Sequence, residues 1–136
     1  MSALTRLQAR WHFWLGIANR SRGNRSADRE SYDEALAELT QAIELDPHLA
    51  PAHYARGAIY WRELNDYGRA VRDFSSALAL DPHIANAYLN RALSRLYGQL
   101  GTREEIIADF EHYLGLSHDG YWRVEAQNQI ARLKAE

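Results

Sequence analysis

The chain has 136 residues, 46% hydrophobic and 25% charged, with a formal net charge of −2, a balance that fits one globular domain and excludes a disordered or fibrous segment. It has no cysteine, which excludes a disulfide framework and a thiolate zinc site, and no run of about 18 apolar residues, the least a bilayer-crossing helix needs. Charge is unevenly spread: residues 1–29 carry six arginines against the one acid Asp28, and residues 30–46 carry six acids and no base.

In chain order, ALTRLQARWHFWLGIANR predicts a first helix over 3–20. Arg6 and Arg10 interrupt its apolar residues, so it does not read as a secretory leader, and with the lack of cysteine this gives a cytoplasmic expectation. The next stretch, NRSRGNRSADR (19–29), mixes four arginines with Gly, Ser and Asn and predicts a long connecting loop over 21–29. Ala35, Leu36, Leu39, Ala42 and Ile43 then form one apolar stripe at helical spacing over 30–45. Pro47 stops that helix, having no N–H with which to continue it. A third helix over 49–63 holds Gly57 mid-way, where glycine costs about 1 kcal/mol relative to alanine; the compensation expected is close approach of a neighbouring helix. Ala70, Val71, Phe74, Ala77 and Leu78 repeat the stripe over 66–80, and Pro82 stops it. A helix over 85–99 has Ala92 at its centre. Ile106, Ile107, Phe110, Tyr113 and Leu114 predict 103–116, and Trp122, Ala126, Ile130 and Leu133 share one face of a last helix over 120–134.

The stripes recur at a fixed period. Shifted by 35 residues, Tyr32 meets Tyr67, Ala35 meets Ala70, Leu39 meets Phe74 and Ala42 meets Ala77, Asp46-Pro47-His48 meets Asp81-Pro82-His83, and Arg56-Gly57 meets Arg91-Ala92. A shift of 36 carries Phe74 to Phe110 and Leu80 to Leu116. Apolar, small and turn positions match together, which marks a repeated helix–turn–helix unit. The two copies of Asp-Pro-His also raise the question of a metal site. Equivalent positions lie two helices apart, about 16–20 Å, while metal–nitrogen bonds are about 2.0–2.1 Å. His48 and His83 therefore cannot share an ion.

These features resemble the tetratricopeptide repeat family: paired helices, a small residue in the first, alanine and an aromatic in the second, then Asp-Pro. YARGAIYWRELNDYGRAVRDFSSALALDP (54–82) matches closely, and the resemblance covers nearly the whole chain. It departs at the ends. The first unit has a longer predicted loop; in the third, Arg95 replaces an aromatic, Tyr113 replaces a small alanine and Asp-Pro is missing. The fold expected is an all-α helical-repeat solenoid of seven helices in one domain: repeat 1 over about 3–47, repeat 2 over 48–82, repeat 3 over 83–118, and a capping helix over 120–134 to cover the last apolar face.

The resemblance further implies that the first helices line a concave, partner-binding face. Carried over by position, that face presents Phe13, Ile17 and Arg20, then Tyr54, Ala58, Trp61 and Arg62, then Asn86, Leu89, Asn90, Leu93, Leu96 and Tyr97. An apolar, aromatic stripe of this kind suits an amphipathic helix or extended peptide of another protein, with Arg20, Arg62, Asn86 and Asn90 orienting it from the rim. Members that clamp a peptide's terminal carboxylate use Lys, Asn and Arg. The matching places here hold Phe13, Ile17, Ala55, Asn86 and Asn90, and only Asn90 fits, which argues against that clamp.

Two alternatives use the amino-terminal region. Arg20, Arg22, Arg25 and Arg29 of the predicted loop offer charge for phosphates of nucleic acid or lipid. Nucleic acid is disfavoured because the chain has no wide basic face and its aromatics are not interleaved with the arginines. Trp11, Phe13 and Trp14 in LTRLQARWHFWLG suit a membrane headgroup layer; a further alternative is self-association through this Trp-rich helix or an uncovered end, which leaves a monomer or a weak homo-oligomer as the expected states. Catalysis has no support: no phosphate loop, nucleophile elbow or paired-histidine zinc helix occurs, and no cofactor or metal is expected. His53 reads as a core residue, and the pair His112 and His118 falls short of the three or four ligands zinc takes.

Overall fold

A computed structural model describes residues 1–136 as seven helices: α1 (Ala3–Ser26), α2 (Arg29–Leu45), α3 (Ala50–Arg62), α4 (Tyr67–Leu80), α5 (Ala85–Gly98), α6 (Arg103–Leu116) and α7 (Gly120–Ala135). Short connections set consecutive helices antiparallel. α1 packs on α2, α3 on α4 and α5 on α6; α2–α3 and α4–α5 join the pairs, and α7 lies on α6. The apolar stripes supply a main core that includes Phe74, Tyr88, Leu89, Leu93, Ile106, Phe110 and Tyr113, closed at the carboxyl end by Ala126 and Leu133. A smaller amino-terminal core holds Ala35, Leu39, Ala55 and Ile59. Gly57 is where α3 and α4 touch: a Cβ there would stand 3.0 Å from Asp73 Cβ and from the Phe74 ring, which accounts for glycine in mid-helix.

The repeated Asp-Pro-His is a tertiary device. The Asp46 and Asp81 N–H groups donate to the carbonyls of Ala42 and Ala77, while their carboxylates accept from the His48 and His83 N–H groups at 3.1 and 3.0 Å. The proline carbonyls then meet the following helix. Pro47 O lies 2.9 Å from Nε2 of the buried His53, and Pro82 O accepts from the Tyr88 hydroxyl at 3.1 Å. His53 and Tyr88 are counterparts one period apart. His48 and His83 themselves face solvent.

A second repeated device joins three helices at a time. Arg56 donates from α3 to both Asp73 oxygens on α4, at 2.8 Å each, and to the Thr40 hydroxyl on α2 at 3.2 Å. One period on, Arg91 donates from α5 to Asp109 on α6, at 3.0 and 2.6 Å, and to the Ser75 hydroxyl on α4 at 3.2 Å. The Asp73 hydrogen bonds raise the Arg56 pKa further, against the opposing effect of burial.

The connection after the first helix is not a long loop. α1 runs to Ser26, and only Ala27 and Asp28 separate it from α2. Glycine and serine suggested flexibility, but Gly23 is buried and serves contact: a Cβ there would lie 2.7 Å from Tyr32 Cε1. α1 ends where Ala27 turns left-handed (φ 52°), and Asp28 caps α2. The Asp28 carboxylate accepts from the Ser31 hydroxyl at 2.8 Å and the Glu30 N–H at 3.0 Å, and these bonds hold its pKa below the ordinary value.

Candidate functional site

With residues 21–26 helical, the four arginines expected in a flexible basic loop are distributed over helix surfaces. Arg20 reaches Glu63, which caps the end of α3, at 3.0 Å, and both side chains are largely buried. Arg22 pairs with Glu34 and donates to the Ser31 hydroxyl at 3.1 Å, Arg29 pairs with Asp33 at 3.4 Å, and Arg25 bonds the Ser21 hydroxyl at 3.1 Å. Two of the four thus face a carboxylate of the acidic segment, Arg22 across the α1–α2 contact and Arg29 within α2, while Arg20 faces Glu63. No phosphate-binding concentration of free cations forms there.

The residues expected on the concave face divide by depth. Ala58, Leu89 and Leu93 are buried in the main core and form a floor rather than a display surface. Phe13 and Ile17 pack, half-buried, on the small amino-terminal core. Tyr54, Trp61, Arg62, Asn86, Leu89, Asn90 and Leu93 come together around one cavity of about 270 Å³, which Tyr113, Asp119 and Trp122 complete. A second cavity, of about 560 Å³, shares Trp61, Arg62, Leu93 and Trp122 with the first and adds Asn65, Tyr67, Tyr97, Tyr121, Glu125 and Gln129. Leu96 faces a different cleft, against Leu133 of α7.

The joined cleft is strongly aromatic. Trp61 lies 5.7 Å from Tyr67 and 5.6 Å from Tyr97, centroid to centroid, and Tyr67 lies 6.5 Å from Tyr97. On α7, Tyr121 and Trp122 meet edge-on at 5.1 Å. Tyr97 is 64% exposed and Tyr121 72%, so aromatic faces from α5 and α7 remain open to an incoming group. At the deeper end, the Asn90 amide donates to the Tyr54 hydroxyl at 3.2 Å. Burial raises the Tyr54 pKa, opposed by the charges of Arg20 and Arg62 and by the Asn90 bond. Asn90 is therefore engaged, Arg20 is engaged with Glu63, and Arg62 at the rim is exposed and outside every ion pair of the molecule.

Sequence reasoning missed the α7 wall. Trp122 reads as one member of a capping stripe with Ala126, Ile130 and Leu133, and it does pack on the main core. It also lines both cavities. The available signal was periodicity: α7 begins where the first helix of a further unit would, and first helices face the concave side.

A family model described as TPR repeat matches residues 23–63, and one described as Tetratricopeptide repeat matches residues 50–84. Among solved structures, the chain is similar to the first TPR of Spaghetti (RPAP3) bound to HSP90 peptide SRMEEVD, at 25% identity over 90% of this chain and 93% of that one, TM-score 0.69. It is similar to the Arabidopsis OM64 TPR domain, at 25% identity over 92% and 98%, TM-score 0.69. It is also similar to the first TPR domain of human RPAP3, at 25% identity over 89% and 91%, TM-score 0.67. No curated protein matches the sequence.

Proposed function

Because the chain belongs to the tetratricopeptide repeat family, we propose that it is a non-catalytic interaction module that holds a segment of another protein in the cleft between Tyr54, Trp61, Leu93 and Trp122. The observation that carries this reading is that the two cavities share Trp61 and Arg62 of α3, Leu93 of α5 and Trp122 of α7 as common walls. An open apolar and aromatic cleft with few convergent polar groups is the usual form of a peptide site. Helix α7 forms one wall and leaves the cleft open.

The mode of capture differs from clamping a peptide's terminal carboxylate. One structural neighbour is bound to the acidic HSP90 peptide SRMEEVD. Here the places matching the Lys, Asn and Arg of such a clamp hold Phe13, Ile17, Ala55, Asn86 and Asn90, none of them a cation, and Asn90 is already bonded to Tyr54. Apolar and aromatic anchors of the ligand would supply the affinity, with Arg62 and Asn86 orienting it at the rim.

The test uses exposed residues, since Leu93 belongs to the core and its replacement would unfold the chain. Affinity capture from lysate of the source cells, read by mass spectrometry, is run with the native chain beside Tyr97→Ser/Tyr121→Ser. The native chain should retain a specific partner that the double variant loses at unchanged helical circular dichroism. A partner retained equally by both would show that the cleft is not the binding site.

A further inference from the structure

Helix α1 carries two seams of different kinds. Its buried positions Ala9, Gly16 and Gly23 recur every seventh residue and press small side chains against α2. Leu4, Leu7, Trp11 and Trp14 recur at 3-4-3 spacing on another face, and they are 65%, 64%, 64% and 59% exposed, with Met1 at 59%. That spacing is the hydrophobic seam of a helix meant to meet another helix. Scattered exposed apolar residues are ordinary, but five large ones in a line are not.

The repeat itself identifies this face. A Cβ on Gly16 would meet Leu39, and one on Gly57 would meet Phe74. Leu39 and Phe74 are counterparts, so Gly16, Gly57 and Ala92 are too. Five residues before each lie Trp11, Ala52 and Ala87; two before each lie Trp14, Ala55 and Asn90. Ala52, Ala55 and Ala87 are buried, since α3 and α5 are covered by α2 and α4. On α1 the stacking face carries Trp11 where the covered copies are Ala52 and Ala87, and Trp14 where the copies are Ala55 and Asn90. Its shape is therefore suited to a different covering from the one inside the solenoid.

We infer that this face pairs with a second copy of the chain, α1 against α1 in antiparallel orientation about a two-fold axis. Antiparallel pairing sets Leu4 against Trp14 and Leu7 against Trp11, so that every layer joins a large and a medium side chain. Parallel pairing would set tryptophan on tryptophan and Arg6 on Arg6. In the antiparallel register Arg10 faces Gln8 and Arg6 faces His12, and the helix dipoles oppose. The exposed side chains put on the order of 600 Å² of largely apolar surface on one copy, so a pair buries on the order of 1,000 Å², the lower edge of a specific interface. The dimer is accordingly a reversible one. Arg6 and Arg10 take part in no ion pair, and two such helices repel at low salt; the dimer therefore tightens as salt rises through the screening range. No residue of α1 lines the cleft, so it stays open and each dimer presents two.

The experiment is sedimentation velocity or light scattering on the full chain over about 200 to 1 μM at two salt concentrations. The expected result is a mass above the 15.6 kDa monomer that falls on dilution and rises with salt. Trp14→Glu and Leu7→Glu, both at solvent-facing positions, should weaken association at least tenfold with unchanged helical circular dichroism. With no native cysteine, a mixture of Leu4→Cys and Trp14→Cys proteins should cross-link faster than either alone; faster self-linking of Leu4→Cys would overturn the orientation. A monomeric mass throughout, or variants as dimeric as the native chain, overturns the dimer. So does a monomer that binds vesicles containing about 30% phosphatidylserine through Trp11 and Trp14, since the occupant is then lipid.

Discussion

Asp109 accepts two hydrogen bonds from Arg91 and a third from Arg95 at 2.8 Å, with only 3% of its side chain exposed. Its counterpart Asp73 is nearly as buried but serves Arg56 alone. Removing either carboxylate leaves cations in a low-dielectric setting, which costs about 3–5 kcal/mol when one partner of a buried pair is lost. Asp109→Ala should fall at the upper end and Asp73→Ala at the lower, because two guanidiniums are orphaned in the first case and one in the second. Urea midpoints of the two variants decide this; equal losses would mean that Arg95 leans on Glu105 instead, at 3.2 Å. Tyr54 gives a pH-dependent test at the same scale. Burial lifts its pKa above 10, so the unfolded chain loses that proton first as pH rises. The contribution to stability is complete below pH 10 and disappears as pH passes through the folded value. Tyr54→Phe should flatten stability against pH above 10, while costing about 1 kcal/mol at neutral pH through the lost Asn90 bond. An unchanged alkaline slope would show that another group sets it.

At the scale of the helix, the α1–α2 junction is where sequence and structure part. Both signals at 21–28 are local, and each has an opposite consequence. Ala27 adopts a left-handed conformation that glycine takes without strain, so Ala27→Gly should stabilise by roughly 0.5–1 kcal/mol. Gly23 meets the Tyr32 ring, whose hydroxyl is tied to Asn24 at 2.8 Å, so Gly23→Ala should destabilise by about 1–3 kcal/mol. Thermal melts should move in opposite directions for these two changes, four residues apart. The helices themselves were legible because each buries one stripe, and an apolar stripe at 3.6-residue spacing is visible without knowing its neighbour. Composition cannot tell a glycine that frees the chain from one that admits a tyrosine. The same limit hid half of the cleft. Trp61, Leu89 and Leu93 follow from the period, whereas Tyr121, Trp122 and Glu125 line it from α7, which shows itself as a cleft wall only when the period is carried on into a further unit. Arg20, which looked available for a ligand, is occupied by Glu63, forty-three residues away, and such a pairing cannot be read from spacing.

Across the whole molecule, the core is unequally divided, with fourteen buried residues in the cluster that spans α3 to α7 and four in the one beneath α1 and α2. In a solenoid each helix pair is stabilised by its own packing and by its neighbours, so the end with the smaller core opens at lower free energy than the centre. Native-state hydrogen exchange should therefore show α1 and the first turns of α2 exchanging through a sub-global opening, with α4, α5 and α6 protected close to the global limit. Uniform protection along the chain would mean that the two clusters unfold as one. Self-association changes that ordering in a way a monomeric scaffold cannot. A second copy bound along Leu4, Leu7, Trp11 and Trp14 stabilises the folded α1 by mass action, so α1 amides should be slowest in concentrated protein and quicken on dilution, while those of α5 and α6 stay constant. Trp14→Glu should remove the concentration dependence and leave α1 at its fast limit. Exchange in α1 that is independent of concentration in the native chain would mean that the bare stacking face stays uncovered by its own kind.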